Sequence, residues 1–261
     1  GNIKSGVPTI TTSLRGLVDG VIVVDQQMEP VHSGLGGGVV PDAFMILSRI
    51  ISSFHNDKGE LLIEGLTPTE QDVFELSDEF IKSSLSSTGV NLFEMDSYSK
   101  RLWLEPALSI LAIDAPPVAE SVNLLIPKAK AKVSLRLPPT EDPDHAMNML
   151  EQHIKENTPF NANVKFIPEA KGKGILVDPK NEFSSKLIES FNKHWENEVA
   201  YMGVGGSIPF ANVFINEFPN SEIVLVGAGD EEGNAHAPNE SVNISDIQRL
   251  IDSLTDAISN Y

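Results

Sequence analysis

The 261-residue sequence has no cysteine, which excludes disulfides and thiolate ligands and leaves histidine, aspartate and glutamate as metal donors. Positive charge is scarce. Nineteen Lys and Arg stand against 37 Asp and Glu, and the net charge of −18 repels phosphate backbones and acidic membranes, so no nucleic-acid or membrane partner is expected. The alternating Lys128, Lys130 and Lys132, set between Ala129, Ala131 and Val133, read as a strand with one solvated face and not as a nucleic-acid stripe. No apolar run approaches the roughly 20 residues that span a bilayer, and the first residues lack a signal-peptide pattern. A cytoplasmic location is expected. Internal repeats, low-complexity linkers and a His-Glu-x-x-His pair are also missing, and His55, His145, His153 and His194 read as surface residues without ligand partners.

What is present has the periodicity of an α/β fold. Period-two runs at about 12–25, 59–66, 128–137 and 162–170 alternate with helix-like runs at about 41–55 and 143–157. This βαββαβ-like order predicts a sheet with helices on one face. An insertion, about 67–120, opens with Thr67-Pro68-Thr69-Glu70, a Thr-x-x-Glu capping box ahead of a helix-like stretch to Ser86. Beyond Gly174 the pattern becomes a helix over Glu182 to Trp195, a glycine turn, a second helix, the strand-like Ile223 to Val226 and a final helix capped by Ser245 with Gln248 three residues on. A domain boundary is placed near 172–178, dividing the chain into 8–172 and 173–261.

Three short motifs carry candidate chemistry. Gly233-Asn234-Ala235-His236-Ala237-Pro238-Asn239-Glu240 sets a histidine in a proline-stiffened loop past a strand, a seat for a metal ligand or a solvated loop residue. Gly203-Val204-Gly205-Gly206-Ser207-Ile208-Pro209 is a glycine turn opening a helix, with Ser207 suited to the N-cap and Pro209 to the first turn. The free N–H groups there favour an anion such as a carboxylate, and a plain capped helix fits equally. Pro30-Val31-His32-Ser33-Gly34-Leu35-Gly36-Gly37-Gly38 lies between a strand and a helix. The adjacent acids Glu231 and Glu232 read as a solvated loop.

HSGLGGG, SLRL, GGSIP and NAHAPNE, in that order over nearly the whole chain, resemble the di-zinc metallopeptidase family that includes carnosine dipeptidase, aminoacylase, acetylornithine deacetylase and succinyl-diaminopimelate desuccinylase. The resemblance implies that 8–172 is a two-layer α+β lid, or dimerisation, domain and that 173–261 is the C-terminal part of an α/β zinc-exopeptidase catalytic domain. The family's His-x-Asp pair, bridging aspartate, Glu-Glu pair and further aspartate ligand would precede Gly1, and the chain contains none of them. By matching position, His236 would be a zinc ligand, and Gly206 with Ser207 would hold the substrate carboxylate. His32 would donate to the oxyanion in the partner's active site, assisted by Asn123, and Arg136 would bind the substrate carboxylate. Each has a plainer reading: His32 as a loop cap before a glycine hinge, Asn123 as a turn residue, Arg136 as half of a strand-face ion pair. Val204 departs from the family, in which many members carry glutamate before Gly-Gly-Ser.

The function implied is that of a fragment of a zinc-dependent, dipeptidase-like hydrolase, active on an amide bond next to a free carboxylate and dimerising through its lid. Two zinc ions per site are implied, with manganese or cobalt as substitutes. The fragment alone is expected to be inactive, and small peptides or acyl-amino acids are the expected substrates. An N-acyl-amino-acid deacylase and a non-catalytic dimerisation or ligand-binding module are the alternatives.

Overall fold

A computed structural model describes residues 1–84, 91–206, 209–218, 220–235 and 237–261. In chain order these form β1 (Thr9–Leu14), β2 (Gly16–Asp25), β3 (Val31–His32), the one-turn α1 (Ser33–Gly36), α2 (Ala43–Ser53), α3 (Asp78–Ser84), α4 (Tyr98–Trp103), β4 (Ala107–Asp114), β5 (Leu124–Leu125), β6 (Lys128–Leu137), α5 (Pro143–Glu156), β7 (Val164–Gly172), β8 (Ile175–Leu176), α6 (Glu182–His194), β9 (Ala200–Val204), α7 (Pro209–Glu217) and α8 (Ile244–Ser259). They fall into two compact units, one of 16–69 and 105–173, the other of 1–15, 70–104 and 174–261. One of the divisions falls between 173 and 174. The single cut drawn from sequence nevertheless differs from this division, because β1 and residues 70–104 join the second unit.

The first unit is an antiparallel sheet in the order β4-β6-β2-β7. Alternation in β2 and β6 sends Val18, Ile22, Val24, Ala129, Ala131, Val133 and Leu135 to one face, where they bury against Ala43, Ile46, Leu47 and Ile50 of α2 and Ala146, Leu150 and Ile154 of α5. Each fully buried Val, Leu or Ile among them contributes about 1.5–3 kcal/mol. Aspartates start both helices: Asp42 accepts from Met45 N at 2.9 Å, and Asp142 accepts from Asp144 N and His145 N at 2.9 and 3.0 Å. These amide bonds, that of His145 foremost, hold the Asp142 carboxyl below the usual carboxylate range. The opposite sheet face carries the expected lysines, paired as Lys128–Asp25 at 3.0 Å, Lys130–Asp114 at 4.0 Å and Lys132–Glu169 at 2.8 Å.

One strand of this sheet is not where the periodicity puts it. Residues 59–66 form no strand; only Leu61 makes a bridge, to His55, because Asn56 folds the chain into a turn by accepting from Lys58 N and Glu60 N. The fourth strand is β4, inside the supposed insertion, and it restores the βαββαβ order. A register shift between Ile110 and Ala112 breaks its alternation: Leu108 and Ile110 pair with the inward Leu135 and Val133, but beyond the shift it is Ile113, an odd-numbered residue, that pairs with the inward Ala131.

In the second unit β1 lies between β8, antiparallel, and β9, parallel. Helices α6 and α8 pack Leu187, Phe191 and Ala257 against Ile10. The buried Asp246 of α8 accepts from Gly6 N at 2.7 Å and from Arg249 Nη1 at 3.0 Å, tying down the first residues of the chain. Three local expectations shift. The helix after Thr67 begins at Asp78, since Phe74 N bonds Tyr201 O and Leu76 N bonds Ser99 Oγ instead of continuing a helix; Ser86, its expected end, lies outside the described residues. Ile223 to Val226 makes one bridge, Thr11 to Leu225, and the last helix is capped by Asn243 in place of Ser245. Glu231 and Glu232 are exposed, as expected.

Candidate functional site

The HSGLGGG segment is held by a ladder of only two residue pairs. Val31 faces Leu125 and His32 faces Leu124 across β3 and β5, and Ser33 N donates to Asn123 O at 2.9 Å. His32 and Asn123, 91 positions apart in sequence, thereby become neighbours, and both are exposed. Gly36 is required by this packing: a Cβ there would lie 2.8 Å from Val31 Cγ1 and 3.0 Å from Leu125 Cδ1.

His32 also caps α1, its Nδ1 accepting from Gly34 N at 3.0 Å. An accepting Nδ1 carries no proton, so the neutral ring is the Nε2–H tautomer. That N–H has no partner among the described residues and faces outward on an exposed side chain. One ring nitrogen thus caps α1, as the plainer expectation for His32 has it, while the other stays exposed.

Arg136 stands on the lysine-bearing face of β6, half-buried, and has no ion-pair partner among the described residues, unlike the three lysines beside it. Eight residues of strand separate it from Lys128, roughly 27 Å at strand rise, so the structure does not bring it to the His32–Asn123 pair. In the other unit Gly206 follows β9 and its N–H has no partner among the described residues; a Cβ there would meet nothing nearer than Val204 Cγ1 at 4.0 Å. Ser207 and His236 lie outside the described residues. Around the latter, Ala237 N bonds Asn234 O at 2.9 Å and Ser241 N bonds Gly233 O at 2.9 Å.

The other histidines hold one correction. His153 is buried, not a surface residue: its Nε2 lies 3.0 Å from Ser53 Oγ, its ring stacks on Phe54 at 5.2 Å, and burial lowers its pKa from the ordinary 6.5. Sequence reasoning missed it, although its position seven after Ala146 and three after Leu150 places it on the buried stripe of α5. Among the described residues no group of three or more His, Asp or Glu side chains could hold a metal ion, so these residues alone do not make the zinc centre that the motifs imply.

One unit is a two-layer arrangement of antiparallel sheet and two helices, and the other is an α/β unit. Residues 12–162 match the M20 peptidase dimerisation domain, and the chain belongs to that family. A cysteinylglycine-S-conjugate dipeptidase of Corynebacterium striatum is 31% identical over 260 residues, covering 96% of this chain and 56% of the relative. A Cys-Gly metallodipeptidase of Saccharomyces cerevisiae is 25% identical over 262 residues, covering 92% and 53%. The chain thus spans about half the length of these curated relatives. Among solved structures, human carnosine dipeptidase 1 superposes with a TM-score of 0.76 at 18% identity, over 100% of this chain and 58% of that one. This last likeness concerns the fold.

Proposed function

We propose that the chain is the dimerisation module and C-terminal catalytic segment of a zinc-dependent dipeptidase that cleaves an amide bond next to a free carboxylate. The observation that carries this reading is the His32 ring, locked by Gly34 N–H into the tautomer that presents Nε2–H outward beside Asn123. A donor fixed before the reaction stabilises the oxyanion of a tetrahedral intermediate without reorganising as charge develops. Dimerisation through 16–69 and 105–173 is supported by the matched family and by the open edge of β4, where Leu111 and Ile113 are each 55% exposed. In such a dimer His32 serves the partner's active site. Arg136 and the Gly206 N–H, with Ser207, bind the substrate carboxylate, and His236 is this chain's zinc ligand. The remaining donors of a two-zinc site come from sequence outside this chain.

The test is hydrolysis by the full-length protein across a panel of dipeptides and N-acyl amino acids, for wild type and His32→Ala. Dipeptide cleavage is expected to prevail, with kcat falling about 100- to 1000-fold in the variant and KM changing little. Preference for N-acyl amino acids would replace the dipeptidase reading with the deacylase one. An unchanged kcat would remove His32 from the chemistry.

A further inference from the structure

Arg15, which follows β1, is 8% exposed, a rare place for a guanidinium that never gives up its charge. It reaches the glycine turn after β9 in two ways. Its backbone N donates to Val204 O at 3.2 Å, and its Nε donates to Gly205 O at 3.4 Å. The guanidinium runs close along this turn, since a Cβ on Gly205 would lie 3.0 Å from Arg15 Nη2. The turn is packed from below as well: a Cβ on Gly203 would collide with Trp103 and stand 2.6 Å from Ser13 Oγ.

Gly205 C=O and Gly206 N–H are the two poles of one planar trans peptide, so a group that holds the carbonyl aims the N–H the opposite way. A cationic donor on the carbonyl also polarises the amide and strengthens its N–H as a donor. The Gly206 N–H has no partner among the described residues. We propose that Arg15 is a positioning residue that holds the Gly205–Gly206 peptide with its N–H turned outward and polarised for the substrate carboxylate. This inference rests on the reading of Gly206 as part of the carboxylate site.

The experiment measures kcat/KM for a dipeptide and for its C-terminal amide with the full-length protein, in wild type, Arg15→Met and Arg15→Lys. Wild type is expected to prefer the free carboxylate. Arg15→Met is expected to lower that preference about tenfold, through KM and not kcat, as loss of ground-state binding does. Arg15→Lys keeps the charge but not the sideways Nε–H, and is expected to lose at least about threefold. Should Arg15→Met fail to fold, the lysine variant decides. A purely structural Arg15 would leave the carboxylate-to-amide ratio unchanged in a folded variant, and that result overturns the inference. Equal cleavage of both substrates by wild type would instead overturn the carboxylate reading of Gly206.

Discussion

Replacing Gly36 by alanine adds one methyl group at the point where α1 lies on the β3–β5 ladder. That methyl would sit 2.8 Å from Val31 Cγ1 and 3.0 Å from Leu125 Cδ1, whereas carbon atoms pack at about 3.5–4.0 Å. The ladder has two residue pairs and so yields, moving Val31 and the adjoining His32 by about 0.5–1 Å. Overpacking of this kind costs about 1–3 kcal/mol, within what the separate core beneath the main sheet tolerates. Activity is more sensitive, since a displacement of about 1 Å at a reacting group lowers rates about 100-fold. The full-length Gly36→Ala variant is therefore expected to stay folded, with its urea stability lowered by about 1–3 kcal/mol, while kcat falls about 10- to 100-fold. Leu35→Ala is the control: Leu35 is 84% exposed, and its truncation is expected to change neither quantity. A Gly36→Ala enzyme with wild-type kcat would refute the reasoning.

Two predictions concern stability. Burial depresses the His153 pKa, so its contribution is complete above the unfolded value of 6.5 and is lost as pH falls from there through the folded pKa, opposed by the nearby Glu64 and Glu156. Urea unfolding of wild type is expected to weaken from pH 7.5 to 5.5 and that of His153→Gln to weaken less; equal slopes would contradict the assignment. Asp246 is fully buried and holds Gly6 N and Arg249, so Asp246→Ala, leaving both without it, is expected to cost about 3 kcal/mol in chemical denaturation. A loss below about 1 kcal/mol would show that the pair contributes little.

Where one face of an element is apolar and the other charged, the sequence located it closely. The strand expected at 128–137 is β6 to the residue, and the helices expected at 41–55 and 143–157 are α2, which starts after its Asp42 cap and ends at Ser53, and α5, which runs from the expected Pro143 to Glu156. It failed where tertiary partners outweigh local pattern. Strand β4 loses its period at a register shift between Ile110 and Ala112, and Glu70 to Ser77 has a helix-start signature but bonds amides to Tyr201 and Ser99. The candidate site was legible as residues and not as geometry. His32, Asn123, Arg136 and Gly206 were singled out, but the adjacency of the first two depends on a ladder between segments 91 positions apart. The side of the imidazole that carries the proton depends on a glycine amide two residues on.

The central claim is that His32 acts as a donor in the active site of the partner subunit. Its most direct measurement mixes full-length His32→Ala and His236→Ala proteins, each expected to be inactive alone, and reads dipeptidase activity after subunit exchange has been confirmed by sedimentation. One working site per heterodimer is expected, recovering about a quarter of wild-type activity in an equal, randomised mixture, because only one site then has both an intact donor and an intact ligand. Heterodimers that form and stay inactive would contradict the claim.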